Sequence, residues 1–421
     1  MKYNSVTEAN EAVIARLKEA RPYWVDVKPA GEVIPVLNEG KTLLHAGPPI
    51  TWERMTGPMQ GAVLGATLLE GWANTEEEAK ALAQKGEIRF VPCHDVNAVG
   101  PMGGITSKSM PVVVVENRVH GNFSYCNLNE GIGKVMRFGA YDEEVLARHR
   151  WMIKHLGPTL SAALKTMDGG LDITTLVAQA ITMGDEFHQR NIAASALLLR
   201  ALAVPIMKSG RDLAECEEVA AFLARTDQFF LNIMMAYCKN VMDAGAQIGE
   251  GSIVTCMTRN GREFGIRVAG LGKQWFTAPV NMPVGLFFTG YSQEDANPDI
   301  GDSAITETFG VGGATMVAAP GVTRFVGAGG VADATRVSDE MQEIYMDSNP
   351  LLLIPGWDFQ GAPMGLDIRR VVETGITPLI NTGIAHRIPG IGQVGAGTVR
   401  APLECFQKAF VALADKLGLK A

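Results

Sequence analysis

Along the first third of the chain, short apolar runs alternate with stretches whose apolar positions recur at helical spacing. Residues 7–20 predict a helix, 23–27 a strand and 43–45 another short strand. Residues 61–72 and 75–84 predict two helices, then 88–92 and 112–116 two more strands. Such alternation points to an α/β layer architecture. Between the last two strands runs CHDVNAVGPMGGITSKS, a Gly-rich connection too polar for a core.

From about Asp142 to Ala244 the period changes. Apolar positions at Leu146, Met152 and Ile153, and through 160–164, 171–181, 192–202 and 219–241, keep helical spacing with few β-branched clusters. At Gly249 the pattern turns to strands. Asn260-Gly261 sits between two alternating runs, the strongest short-range hairpin signal. Residues 275–278 and 284–288 are read as continuing that sheet, 338–347 as a helix and 404–417 as a closing helix. The expected fold class is a multidomain α+β or α/β chain of unusual fold. Its parts are an N-terminal α/β domain (1–141), a small all-helical domain (142–248) and a C-terminal α/β domain (249–421). A length of 421 residues exceeds one ordinary core and agrees with such a division.

Composition narrows the function classes. Hydrophobic residues make up 47% and charged ones 19%, a balance that buries well and gives no disorder signal. A net charge of −8 leaves no basic footprint, so nucleic acid is not an expected partner. The six cysteines carry no CxxC spacing, which fits reduced thiols rather than a structural zinc site. The N-terminus has charges where a signal peptide needs apolar residues. The run at 193–207 is interrupted by Arg200 and Pro205 and is too short to cross a bilayer. A soluble, cytoplasmic protein is the expectation.

The densest polar span is NPDIGDSAITETFGVGGATMVAAP, residues 297–320, with Asp299, Asp302 and Glu307 among hydroxyls and glycines. Its GVGG precedes a good helix former, so the Gly312 and Gly313 N–H groups are candidates for holding an anion. Arg259, at the hairpin, and Arg324, just after the block, are the nearby cations, and arginine's fork suits phosphate or carboxylate. In GDEFHQRN, at 184–191, Asp185 and His188 are three apart and share a face if the segment is helical, with Asn191 continuing it. A carboxylate holding a histidine is the geometry of a general base or a metal ligand. Gly103 and Gly104, in the polar 93–104 connection, are a second ligand-loop candidate. No Walker, Rossmann, HExxH or GxSxG motif occurs.

GDEFHQRN, TRNGREFGIR, IGDSAITETFGVGG, GLDIRRVVETGITPLINTGIAHR and GQVGAG, in this order, resemble the YahG/YlbE-like family of bacterial proteins. The resemblance runs from about His45 to Cys405. It implies two α/β parts of unusual fold plus a small helical domain. Family members sit beside FdrA-like proteins, which are similar to the succinyl-CoA synthetase α chain. One member is similar to a component of a multi-subunit oxamate carbamoyltransferase of anaerobic allantoin breakdown. The resemblance therefore implies a transferase role with carbamoyl phosphate, in an oligomer with an FdrA-like partner. It carries no site residues, and the Ser-Thr-Arg-Thr and His-Pro-x-Gln signatures of aspartate and ornithine carbamoyltransferases are absent.

The leading expectation is a subunit transferring a carbamoyl group between carbamoyl phosphate and a small amide or ureido acid. Arg259, Arg324, Gly312, Gly313, Gly103 and Gly104 would hold the anion. His188, oriented by Asp185, would be the base, Asn191 and Thr306 donors, and Asp302 and Glu307 would position the arginines. A second reading gives Asp302, Glu307, His188 and His386 to Mg or Mn for a different acyl or phosphoryl transfer. A third makes the chain a structural or regulatory subunit whose polar blocks line an interface.

Overall fold

The computed structural model describes residues 2–327 and 329–419. Local signals produced most of the elements. Ser5 caps the helix Val6–Glu19, which turns Val13, Ile14 and Leu17 inward. The hairpin forms where Asn260-Gly261 predicts it, between Val254–Asn260 and Glu263–Val268, with Gly261 at φ 81°. The closing helix is Leu403–Lys416.

Five sheets result. The first has five strands, in the order Ala98–Val99, Phe123–Asn127, Pro111–Asn117, Pro22–Pro29 and Leu171–Asp172. The hairpin sheet adds Phe276–Pro279 on one side and Ile300–Gly301 on the other. Pairing is antiparallel throughout except between Thr42–His45 and Arg89–Pro92 and between Ala98–Val99 and Phe123–Asn127. The chain is thus a multidomain α+β fold, with little of the parallel layering that the alternation predicts.

Three local expectations are corrected. Val284–Phe287 leaves the hairpin sheet and pairs with Gln393–Arg400. Pro279 and Pro283 on either side of the intervening turn lack the N–H groups that would carry the ladder on. The expected helix at 338–347 is instead the end of Val331–Gln342, and Tyr345–Ile354 is a strand paired with Gln360–Leu366. GDEFHQRN is a loop between the helices Ile173–Thr182 and Ile192–Met207. Left-handed backbone at Gly184 (φ 100°) and Phe187 (φ 72°) breaks the helical course.

The helices of residues 143–246 do not keep a core to themselves. Helix Phe229–Ala246 has 16 of its 18 residues buried, so it is enclosed on nearly every side. It packs on strands Pro111–Asn117 and Phe123–Asn127, on strand Val254–Asn260 and on the short helix Ile305–Phe309. Polar stitches fix its register: Ser124 Oγ donates to Ala236 O at 2.7 Å and Asn232 Nδ2 to Asn127 O at 2.6 Å. One hydrophobic core runs from Val13 through this helix to Met364. No described helix is long and apolar enough to cross a membrane.

Candidate functional site

The loop 184–191 and the short helix Ile305–Phe309 bring His188 and Glu307 together across 119 positions of sequence. His188 Nδ1 lies 2.8 and 3.0 Å from the two Glu307 carboxylate oxygens. A carboxylate can only accept, so Nδ1 carries the proton, and Nε2 is the nitrogen that can hold a lone pair. Glu307 also accepts from Gly313 N (2.9 Å) and Asn381 N (3.2 Å) and touches Thr306 Oγ1 at 2.9 Å. Glu186 underlies the ring: its carboxylate accepts from the backbone N–H groups of His188, Gln189 and Arg190 and from Asn381 Nδ2. Burial pushes Glu186 up to about 7, while His188 and these donors pull it down.

His188 faces a cavity of about 20 Å³ that Arg137, Gln228, Ser303 and Gln393 also line. Arg137 is 5% exposed. Its Nη2 donates to Gly131 O at 2.6 Å, but Nε and Nη1 have no protein partner. Burial lowers its pKa to about 10, with Glu130 opposing. Buried guanidinium nitrogens are ordinarily satisfied, so this pair marks a place for an anion or carbonyl oxygen. The sequence reading did not single out Arg137. Its available signal was an arginine in KVMRFGAY, a stretch otherwise apolar enough to be buried.

Several expected roles are corrected. Asp185 does not hold His188. It accepts from Ala193 N (3.2 Å) and Ala194 N (2.7 Å) and lies 3.4 Å from Arg190 Nε, so it caps the following helix. Gly312 and Gly313 hold no ligand through their N–H groups, which donate to Glu186 O (2.7 Å) and Glu307 Oε1 (2.9 Å). Gly312 is needed for packing, since a Cβ there would collide with the Glu307 carboxylate. Gly103 N donates to Arg137 O and Gly104 N to Pro101 O, both at 3.0 Å, closing a tight turn. Thr306 Oγ1 lies 3.2 Å from His188 Nδ1 and donates to Ser303 O at 2.7 Å, so its proton is committed. Asn191 is fully buried with neither side-chain polar atom partnered.

Arg259 is wholly buried, and all five of its N–H donors are used. They reach both Asp299 oxygens, Gly301 O, Ser303 Oγ and Thr382 Oγ1 at 2.6–3.3 Å. It has no donor left for a substrate. Its orienting carboxylate is Asp299, neither Asp302 nor Glu307. Arg324 is exposed on the short helix Pro320–Phe325, outside this buried network. Asp302 ties the N-terminal loops to the hairpin instead. It accepts from Gly47 N and Gly100 N, each at 3.0 Å, and from Thr258 Oγ1, and burial raises it to about 6.

The four residues given to a metal do not converge. Glu307 holds His188, Asp302 has the partners just named, and His386 lies 3.6 Å from Asp295. Among the described residues no group of three or more His, Cys, Asp or Glu side chains is arranged to hold a metal ion. The six cysteines are free and buried. Burial holds Cys93, Cys126, Cys238, Cys256 and Cys405 in the thiol form.

Comparison with known proteins adds to this geometry. A family model described as oxamate carbamoyltransferase subunit AllG matches residues 88–303. The chain is 68% identical over 417 residues to the oxamate carbamoyltransferase subunit AllG of Escherichia coli (strain K12), covering 99% of this chain and 100% of that protein. It is 44% identical over 416 residues to the uncharacterized protein YahG of the same organism, covering 99% and 88%. Among solved structures it is similar to a conserved protein of unknown function from Enterococcus faecalis V583. That likeness has a TM-score of 0.95 and 45% identity, over 98% of this chain and 99% of that one.

Proposed function

The chain belongs to the family of oxamate carbamoyltransferase subunit AllG, and on that footing we propose that it serves as one subunit of a carbamoyltransferase complex. The group moved is a carbamoyl, exchanged between carbamoyl phosphate and a small amide or ureido acid such as oxamate. The partners proposed are an FdrA-like protein and the other subunits of that assembly.

His188 is the proton acceptor in this reading and Glu307 its orienting group. The acceptor's amide N–H gives its proton to His188 Nε2 as the nitrogen bonds the carbamoyl carbon. The carbon–oxygen bond to phosphate then breaks and phosphate leaves with the electron pair. Arg137 meets the oxyanion that develops on the way. A single observation carries the assignment: Arg137 Nε and Nη1, buried and unpartnered, belong to a side chain lining the same cavity as His188. That cavity holds about one water in the isolated chain, so in this reading another subunit has to widen and complete it.

The test is phosphate release from carbamoyl phosphate and oxamate by the complex reconstituted with its partner subunits. Arg137→Lys and His188→Gln should each lower turnover by about 100-fold or more, with the subunit's melting transition little changed. Full turnover in both would reject the assignment.

A further inference from the structure

A second cavity, of about 270 Å³, opens where the three thirds of the chain meet. Helix Phe229–Ala246 contributes Lys239, strand Glu263–Val268 contributes Arg267, and the loop beyond it contributes Lys273. His94 closes the N-terminal side. Lys239 is 4% exposed and Arg267 7%, so two of the three cations are largely out of water. Two carboxylates oppose them: Asp243 sits 2.5 Å from Lys239 Nζ, and Asp95 pairs with Arg267. Such residues are costly to bury unless each charge finds a partner.

Several groups have none. Arg267 Nε, both ring nitrogens of His94 and Asp243 Oδ2 are buried without a hydrogen bond. His94 Nε2 is 3.6 Å from Asp302 Oδ1, too long for one. The Arg267 guanidinium lies 3.9 Å from the centre of the Trp275 ring, which fixes its plane. Burial, with Lys239 and Arg267 close by, holds His94 well below the usual imidazole range. A neutral ring offers one donor and one acceptor to whatever occupies the cavity. In a chain of net charge −8, this pocket carries a local cationic excess.

We propose that this junction cavity binds a small phosphate-bearing molecule with an N–H or O–H group beside the phosphate. Lys239, Arg267 and Lys273 match a dianion, with Thr255 lining the same wall. The free Asp243 oxygen accepts from the neighbouring N–H or O–H. The volume is below the roughly 300–1,000 Å³ of drug-sized pockets, which suits a small ligand. The proposal does not depend on His188 acting as a base.

Calorimetric titration of the full chain with inorganic phosphate, and with malonate as a carboxylate control, tests it. Phosphate should bind and malonate should bind more weakly. Lys273→Ala, at an exposed position, and the paired change Lys239→Gln with Asp243→Asn should each weaken phosphate by about tenfold or more. His188→Gln should leave phosphate binding unchanged, which separates this site from the transfer reading. No phosphate binding at about 1 mM, tighter binding of malonate, or unaltered affinity in both variants would overturn the proposal.

Discussion

The two cavities are built from opposite chemistry. Around His188 the acids dominate and are well supplied with donors: Glu186 and Glu307 accept from five other residues between them. What remains is space for about one water. Around Lys239 and Arg267 the cations dominate, five polar atoms of the lining residues go unpartnered, and the space is more than tenfold larger. A polar cluster dense enough to satisfy itself becomes architecture, and one left incomplete becomes a place for a ligand. Two Arg137 nitrogens, both Asn191 side-chain polar atoms and Asn381 Oδ1 stay unpartnered on the acid side, and Arg137 lends it a candidate chemistry.

The contrast can be broken most severely at Arg259, whose five bonds make it the most self-satisfied group of the acid-rich block. Arg259→Ala leaves Asp299 buried without its partner and should cost about 3–5 kcal/mol in denaturant unfolding. A variant of undiminished stability would mean that the network is not holding the fold.

A second test uses pH, because the two regions should respond with opposite sign. Glu186, raised to about 7 from 4.5, prefers its protonated form in the folded state. Its contribution is full below about 4.5 and is lost as pH rises through about 7. His45 neighbours Asp95 of the cationic side and is lowered by burial to about 4 from 6.5. Its contribution is full above about 6.5 and is lost as pH falls through about 4. Glu186→Gln and His45→Gln should each remove a slope of about 1.4 kcal/mol per pH unit within its own window. Denaturant midpoints across pH 4–8 would show it, and unaltered slopes in both would refute it.

The smallest effect is expected at Arg324. Arg324→Ala, outside both regions, should shift stability by less than about 0.5 kcal/mol and leave phosphate binding and turnover unchanged. A marked loss in either assay would give that arginine a role its placement does not explain.

Local signals carried the elements well. The hairpin followed from Asn260-Gly261, and the first and last helices from their apolar spacing, because a turn and one buried face are properties of neighbouring residues. The site was legible only in part. His188 and Glu307 both stand out, yet the sequence pairs His188 with Asp185, sets Glu307 to position arginines and joins the two only as metal ligands. Their actual contact is a hydrogen bond between a loop and a short helix far away. Glycines 312 and 313 read as a ligand cradle because bare backbone near an acid looks alike whether the anion is foreign or the chain's own. Lys239 and Arg267 escaped notice for a simpler reason. Each lies in an apolar run, AYCKNVM and FGIRVAG, where a lone cation is the unusual feature.

Helix Phe229–Ala246 also limits how this protein can be taken apart. It fills the middle of a core shared by residues from both ends of the chain, and it supplies a wall of the cationic cavity. Severing the chain near 141 would part that helix from the strands before it, and severing it near 248 would part it from the hairpin after it, each cut baring apolar surface that the segments share. The cationic cavity likewise exists only where all three segments are folded together.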